Sequence, residues 1–249
     1  MLGVVSAFPR AFALLLEQAP HSMALLSQKH PDGWGIALGQ QEGSWAIHRS
    51  MHCAFDDFSF HRLATTARGD IIVVHVRQKT QGDIKLENTH PFQAGPWIFT
   101  HNGTVQNTEY LSARTSESRR IAVRGDTDSE RLFAFLLTRL DVACETGIAT
   151  RSEIDQLLRA ATHDLEQIPG LGTASFLLSD GVALYAHRWR APLFLLQRSG
   201  NEERSCSECV RNPCIAVTTE PLTDENWVPL QDGDLVRITK APTPMWTRL

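Results

Sequence analysis

Apolar positions along this chain recur with two periods, and the points where one gives way to the other outline its elements. Leu2 to Ser6 opens as a short apolar strand. Residues 8–28 carry apolar positions at helical spacing broken by Pro20, which predicts one or two short helices. GWGIAL (33–38) and SWAIHRS (44–50), parted by Gly39 to Gly43, predict a hairpin. Residues 57–68 follow an amphipathic helical pattern. DIIVVHVR (70–77) is apolar on both faces, as a central covered strand is, and PWIFTH (96–101) is expected beside it. Thr127 to Cys144 gives the clearest helix, because Thr127 and Glu130 match the S/T-x-x-E capping box ahead of an apolar run. Ser152 to Gln167 predicts another helix. The last third returns to short strands, SFLLSDGVALYAHRW, PLFLLQR, CIAVTTEPL and DLVRITK, with turn residues such as Ser179-Asp180-Gly181 between them. Strands that come in groups argue for an α+β fold over a doubly wound parallel sheet, and two sheets with helices outside satisfy the pattern.

Composition narrows the partners. No linker-like stretch divides the 249 residues, which predicts a single domain over 1–249. The net charge of −4 is spread over interspersed acids and bases, so neither a nucleic-acid footprint nor a polybasic membrane patch is expected. The apolar runs FALLL and FAFLL are far shorter than the ~20 residues that span a bilayer. The start lacks the flanks of a signal peptide, which favours the cytoplasm. Partners should be small molecules or protein, with no cofactor. Five cysteines are too few and too uneven for a secreted disulfide framework. Cys206, Cys209 and Cys214 cluster, but a closed zinc site wants four ligands, so a polar loop that carries thiols is the expectation.

Polar residues then mark three segments, HVRQKTQGDIKLENTHPF (75–92), FTHNGT (99–104) and RGDTDSERLF (124–133). Strand alternation sets Val73, His75 and Arg77 on one face, with Arg77 at the strand end where loops build sites. A guanidinium there suits a bidentate grip on a carboxylate, and equally a surface ion pair. Asn102-Gly103 after an apolar strand is first a turn signal, yet its side-chain amide and N–H could also meet an oxyanion. Asp128 sits in the first turn of a helix, where the dipole favours an acid; its carboxylate could also accept an ammonium. His90, before Pro91, is either a packed loop residue or a pocket group, and Asp32 is read as shaping a glycine-rich turn. A metal-dependent hydrolase using His75, His90, His101 and a carboxylate is a reading from another class, though no pair has the spacing of H-E-x-x-H.

Taken in order, HPDGWGIA, HVR with a threonine three residues on, ENTHPF, HNG and DTDSE resemble the glutaminase domain of the class II glutamine amidotransferases. The likeness is nearest to the stand-alone bacterial type that includes the γ-glutamyl hydrolase of ergothioneine biosynthesis, and it runs from LGVVS to TEPLTDENWVPL (219–230). It implies a four-layer αββα sandwich of the N-terminal nucleophile hydrolase type. It also implies attack on a side-chain amide by an N-terminal cysteine thiol whose own α-amine is the base. Carried over, Arg77 and Asp128 would bind the carboxylate and ammonium of glutamine or a γ-glutamyl group. Asn102 and Gly103 would form the oxyanion hole, and Thr80 and His90 would line the pocket. Alignment on the shared Leu-Gly sets the family's cysteine two residues ahead of Met1, and none of the five cysteines present can substitute. Two expectations follow: the start codon was assigned late and the enzyme is intact, or the chain is an inactive remnant that binds γ-glutamyl ligands or serves as a subunit. With no room for a synthase domain, an active enzyme would release ammonia or pass it to a partner protein.

Overall fold

In the computed structural model, which describes residues 1–40, 43–145, 150–199, 213–240 and 242–249, strands and helices segregate into layers. One sheet holds β1 (Leu2–Arg10), β2 (Trp34–Gly39), β3 (Trp45–Ser50), β4 (Gly69–Val76), β9 (Phe194–Arg198), β10 (Cys214–Thr218) and β11 (Val228–Pro229). Its order is β11-β9-β10-β1-β4-β2-β3. The second holds β5 (Phe92–Ala94), β6 (Trp97–Asn102), β7 (Ser175–Ser179), β8 (Ala183–His187), β12 (Leu235–Thr239) and β13 (Met245–Arg248), in the order β13-β12-β8-β7-β6-β5. Every pairing is antiparallel.

The period-two alternation of the strands divides the interior into three cores. On β4, Ile72, Val74 and Val76 face outward onto α1 (Met23–Ser27) and α2 (Phe58–Thr66), beside Met23 and Phe60. Ile71 and Val73 face inward and meet Ile98, Leu177 and Ile238 of the other sheet. That double burial is why the segment reads apolar throughout. The outer face of the second sheet, with Phe99, Phe176 and Tyr185, is covered by α3 (Thr108–Ala113), α5 (Asp128–Glu145) and α6 (Arg151–Glu166). The result is the αββα sandwich expected from the sequence. Each buried Val, Leu or Ile contributes roughly 1.5–3 kcal/mol of transfer free energy. Gly3 lets the sheets close on one another: a Cβ there would stand 2.7 and 2.9 Å from the side chains of Leu184 and Leu177.

Several expectations are corrected. β1 continues to Arg10 through a register shift after Val5, so the stretch first read as helical begins as strand. Of residues 8–28 only the turn Leu14–Gln18 and the five-residue α1 are helical. PWIFTH is not the neighbour of β4, whose two edges are taken by β1 and β2; it lies in the other sheet, between β5 and β7. Thr127 does accept from Glu130 N–H at 3.2 Å, but the Glu130 carboxylate turns to the N–H groups of Arg124 and Gly125, at 2.8 and 2.6 Å. The complete capping box belongs to α6, between Thr150 and Glu153. The short α3 and α4 (Glu117–Ile121) were not expected. The hairpin of β2 and β3 pairs as read. Cys206 and Cys209 lie outside the described residues, and Cys214 is buried in β10. Among the described residues no helix is long and apolar enough to cross a membrane.

Candidate active site

Met1, just ahead of β1, the last residues of β4 and β6, and the first turn of α5 converge on a cavity of about 260 Å³. All six residues that the resemblance assigned to the site line it: Arg77, Thr80, His90, Asn102, Gly103 and Asp128. Two of the three polar segments end strands from facing sheets and the third starts a helix, so the chain delivers them to one spot through topology.

Arg77 continues the inward-facing row of β4, with Arg77 N–H donating to Gly33 O at 2.8 Å and Asp32 N–H to Arg77 O at 2.9 Å. Its side chain is buried. Nη1 donates to Asp83 O at 3.1 Å, and Nη2 to Gln81 O and Gly82 O at 3.1 and 3.4 Å. The guanidinium thus shapes the 77–83 loop and leaves Nε–H and one Nη1–H for the cavity. Burial lowers its pKa, while the carboxylates of Asp32, Asp126 and Asp83 act against that shift. Asp32 shapes the turn as expected: its carboxylate accepts from Lys79 N–H at 2.7 Å. Thr80 sits exposed on the same loop.

Asp128 is buried, with Oδ2 accepting from Val105 N–H at 2.6 Å and Oδ1 not engaged among the described residues. Asn102 and Gly103 are half-buried, and among the described residues neither the Asn102 carboxamide nor the Gly103 N–H has a partner. Gly103 has φ +148, and a Cβ on it would stand 2.4 Å from Thr173 O. The backbone that aims this N–H therefore requires glycine.

Behind the two donors, His101 is fixed by its neighbours. Its Nε2 lies 3.1 Å from Thr173 O, which can only accept, so Nε2 carries the proton and Nδ1 accepts the Ser129 hydroxyl at 2.9 Å. His90 stacks on His75 with ring centroids 4.3 Å apart. Both His90 ring nitrogens and His75 Nδ1 are buried without a protein partner among the described residues. Burial, ahead of neighbouring positive charge, holds the pKa of His75 and His90 well below the usual histidine value, and burial lowers His101 as well. No three His, Cys, Asp or Glu side chains among the described residues are grouped to hold a metal ion.

Sequence reasoning missed the supporting groups. Asn88 accepts from Asp126 N–H at 3.1 Å, and its own amide donates to Asp83 O at 2.9 Å and to the Asp126 carboxylate, which ties the 77–90 loop to the start of α5. Asn88 stands in the ENTHPF segment already noted, so its position was visible though its role was not. Thr219 and Glu220, in the TEPL segment, close the side of the cavity that carries Met1, whose N donates to Thr219 Oγ1 at 3.0 Å. Among the described residues no cysteine lines the cavity; Cys53 contacts Ser27, and Cys214 pairs at the far end of β10, with Ser6.

Comparison with known proteins gives a consistent answer. The family model described as "Glutamine amidotransferases class-II" matches residues 2–247. YafJ of Escherichia coli (strain K12) is 28% identical over 221 residues, covering 82% of this chain and 84% of that one. The gamma-glutamyl-hercynylcysteine sulfoxide hydrolase of Mycolicibacterium smegmatis is 26% identical over 244 residues, covering 94% of this chain and 92% of that one. Among solved structures, a glutamine aminotransferase class-II domain protein from Silicibacter pomeroyi superposes with a TM-score of 0.63 at 20% identity, over 100% of this chain and 98% of that one.

Proposed function

The chain belongs to the class II glutamine amidotransferases, and from that membership we propose that it is a cytoplasmic amidohydrolase cleaving the side-chain amide of glutamine or of a γ-glutamyl compound. The observation that carries the reading is the convergence of a cation, an anion and two unengaged N–H donors on one small cavity. Arg77 takes the substrate carboxylate and the free oxygen of Asp128 takes the ammonium. The scissile carbonyl then lies toward Asn102 and Gly103, whose N–H groups stabilise the oxyanion as it forms.

The nucleophile we propose is a cysteine two residues ahead of Met1 in the natural protein. Support comes from the register of β1. Leu2 pairs with Val74 and with Thr218, so the position two before Met1 would lie across from Arg77 on one side and beside Glu220-Pro221 on the other. Odd-numbered β1 residues face between the sheets, as Met1, Gly3 and Val5 do, and alternation would aim that thiol the same way, into the cavity. Burial also counts: a free amine at Met1 N would be pushed down to about 5 by desolvation, against the pull of Glu220, whereas a peptide N–H suits the site without that cost. In the reaction the thiol proton passes to the cysteine α-amine while sulfur adds to the amide carbon. The amine then returns the proton to the leaving nitrogen, and water hydrolyses the thioester to the acid. The nitrogen leaves as ammonia or an amine, free or taken up by a partner protein.

Mass spectrometry of the N-terminal peptide, from protein expressed at its native locus, tests the nucleophile directly. A peptide that starts with cysteine before Leu-Gly is the expected result, with glutamine or γ-glutamyl amide hydrolysis that fails on substitution of that cysteine by alanine. A peptide that starts at Met1 or Leu2 overturns the catalytic reading and leaves a γ-glutamyl-binding protein.

A further inference from the structure

A second concavity, larger than the active-site cavity, is a cleft of about 570 Å³ on the far side of the His90–Phe92 contact. It is bounded by edge strand β5, the loop after α4 and one face of α5. Its floor is apolar and buried, formed by Phe92, Phe133 and Leu137. The size falls within the roughly 300–1,000 Å³ range of small-molecule sites.

The rim is polar, and its groups differ in how far they are already engaged. Arg119 is taken by Asp141, through Nε at 2.8 Å and Nη2 at 2.6 Å. Both Glu130 oxygens are taken by the N–H groups of Arg124 and Gly125. Among the described residues Arg49 gives only Nη1, to Leu86 O and Thr89 O at 3.4 and 3.2 Å, which leaves Nε and Nη2 without a partner there. The exposed Arg124 guanidinium has no partner among the described residues. Glu87 is the opposing open acid. Burial is the leading cause of the lowered pKa of Arg49; the charges of Glu87 and Glu130 act against that shift, and the charge of Arg124 adds to it. Two guanidiniums that line one cleft with an apolar floor suit a planar oxyanion, which can accept from both at once.

We propose that this cleft is a second small-molecule site, for a ligand with an aromatic or branched apolar body and one oxyanion head, bound by Phe92, Phe133 and Leu137 below and by Arg49 and Arg124 at the rim. The body buries in the floor and the head lies between the two guanidiniums. Glu87 disfavours a second negative charge.

Two fluorescent probes of one shape separate the charge from the body: 8-anilino-1-naphthalenesulfonate, and N-phenyl-1-naphthylamine, which lacks the sulfonate. With the folded full chain the sulfonate should bind saturably at one site, at least fivefold more tightly than the neutral probe. Arg124→Ser should erase that preference, Arg124→Lys should keep most of it, and Glu87→Gln should strengthen sulfonate binding two- to threefold. Both positions are exposed, so the variants fold, which circular dichroism verifies. Saturating L-glutamine should leave sulfonate binding unchanged. Equal affinity for both probes, indifference to Arg124→Ser, or displacement by glutamine would each overturn the proposal.

Discussion

At the residue scale the site depends on two adjacent positions with opposite structural demands. Asn102 has no partner in the folded chain among the described residues, so Asn102→Ala should change unfolding free energy by no more than about 0.5 kcal/mol. In a chain carrying the proposed cysteine, the same substitution should lower kcat by roughly two to three orders of magnitude with little change in KM, the loss expected for one oxyanion donor. Steady-state kinetics beside urea titration reads both, and a large stability loss with normal kcat would remove Asn102 from the mechanism. Gly103→Ala behaves differently. Its Cβ would meet Thr173 O at 2.4 Å with φ held at +148, so roughly 1–3 kcal/mol of strain should appear in the same titration, and kcat should fall as well. This pair was legible in the sequence because Asn-Gly after an apolar strand has few uses. Arg77 was legible as a cation at a strand end, but not as the organiser of its own loop. Its contacts are to backbone carbonyls of residues 81–83, which carry no side-chain signature.

Elements were readable where one period ran long and unreadable where pairing partners had to be chosen. β4 announced its double burial, yet nothing in its residues said which strands flank it, and β6, equally apolar, proved to belong to the facing sheet. Antiparallel pairing is decided by register and loop length, which the composition of a single strand does not encode. The start of α5 shows the same limit: Thr127 and Glu130 have capping-box spacing, but the carboxylate anchors the preceding loop instead. Glu130→Ala should therefore cost more than an ordinary cap. It removes two short bonds from N–H to carboxylate, for a loss of about 2–3 kcal/mol, and hydrogen exchange should quicken at the amides of residues 124 and 125. The reference is Thr150→Ala, which breaks a true capping box at the exposed start of α6 and should cost about 1 kcal/mol. Equal losses, with unchanged exchange at 124 and 125, would mean that Glu130 acts only as a helix-end acid.

At the scale of the whole molecule, the sandwich keeps a set of imidazoles neutral in its interior, and that ties stability to pH. His75, His90 and His101 have lowered pKa values from burial, and His187, packed on Phe176 under the same influence, is pushed down to about 4. Below the unfolded value near 6.5 the unfolded chain takes up protons that the folded chain refuses, so unfolding free energy should fall as pH drops toward 4 and level off only below the folded values. Each such histidine contributes a slope of up to about 1.4 kcal/mol per pH unit. His61, raised by the Phe55 carbonyl and by Glu17, works the other way and offsets part of it. His187→Phe, which keeps the ring contact, should reduce the slope by about one proton; an unchanged slope would mean that His187 protonates in the folded state. Cavity and scaffold should then respond differently to mild acid. With its histidines neutral, the cavity presents Arg77, Asp128 and Glu220 as its charged lining groups, so glutamine affinity should hold steady from pH 7.5 to 6 by calorimetry. Over the start of that same fall in stability, a matching loss of affinity would show that a cavity histidine is charged when substrate binds.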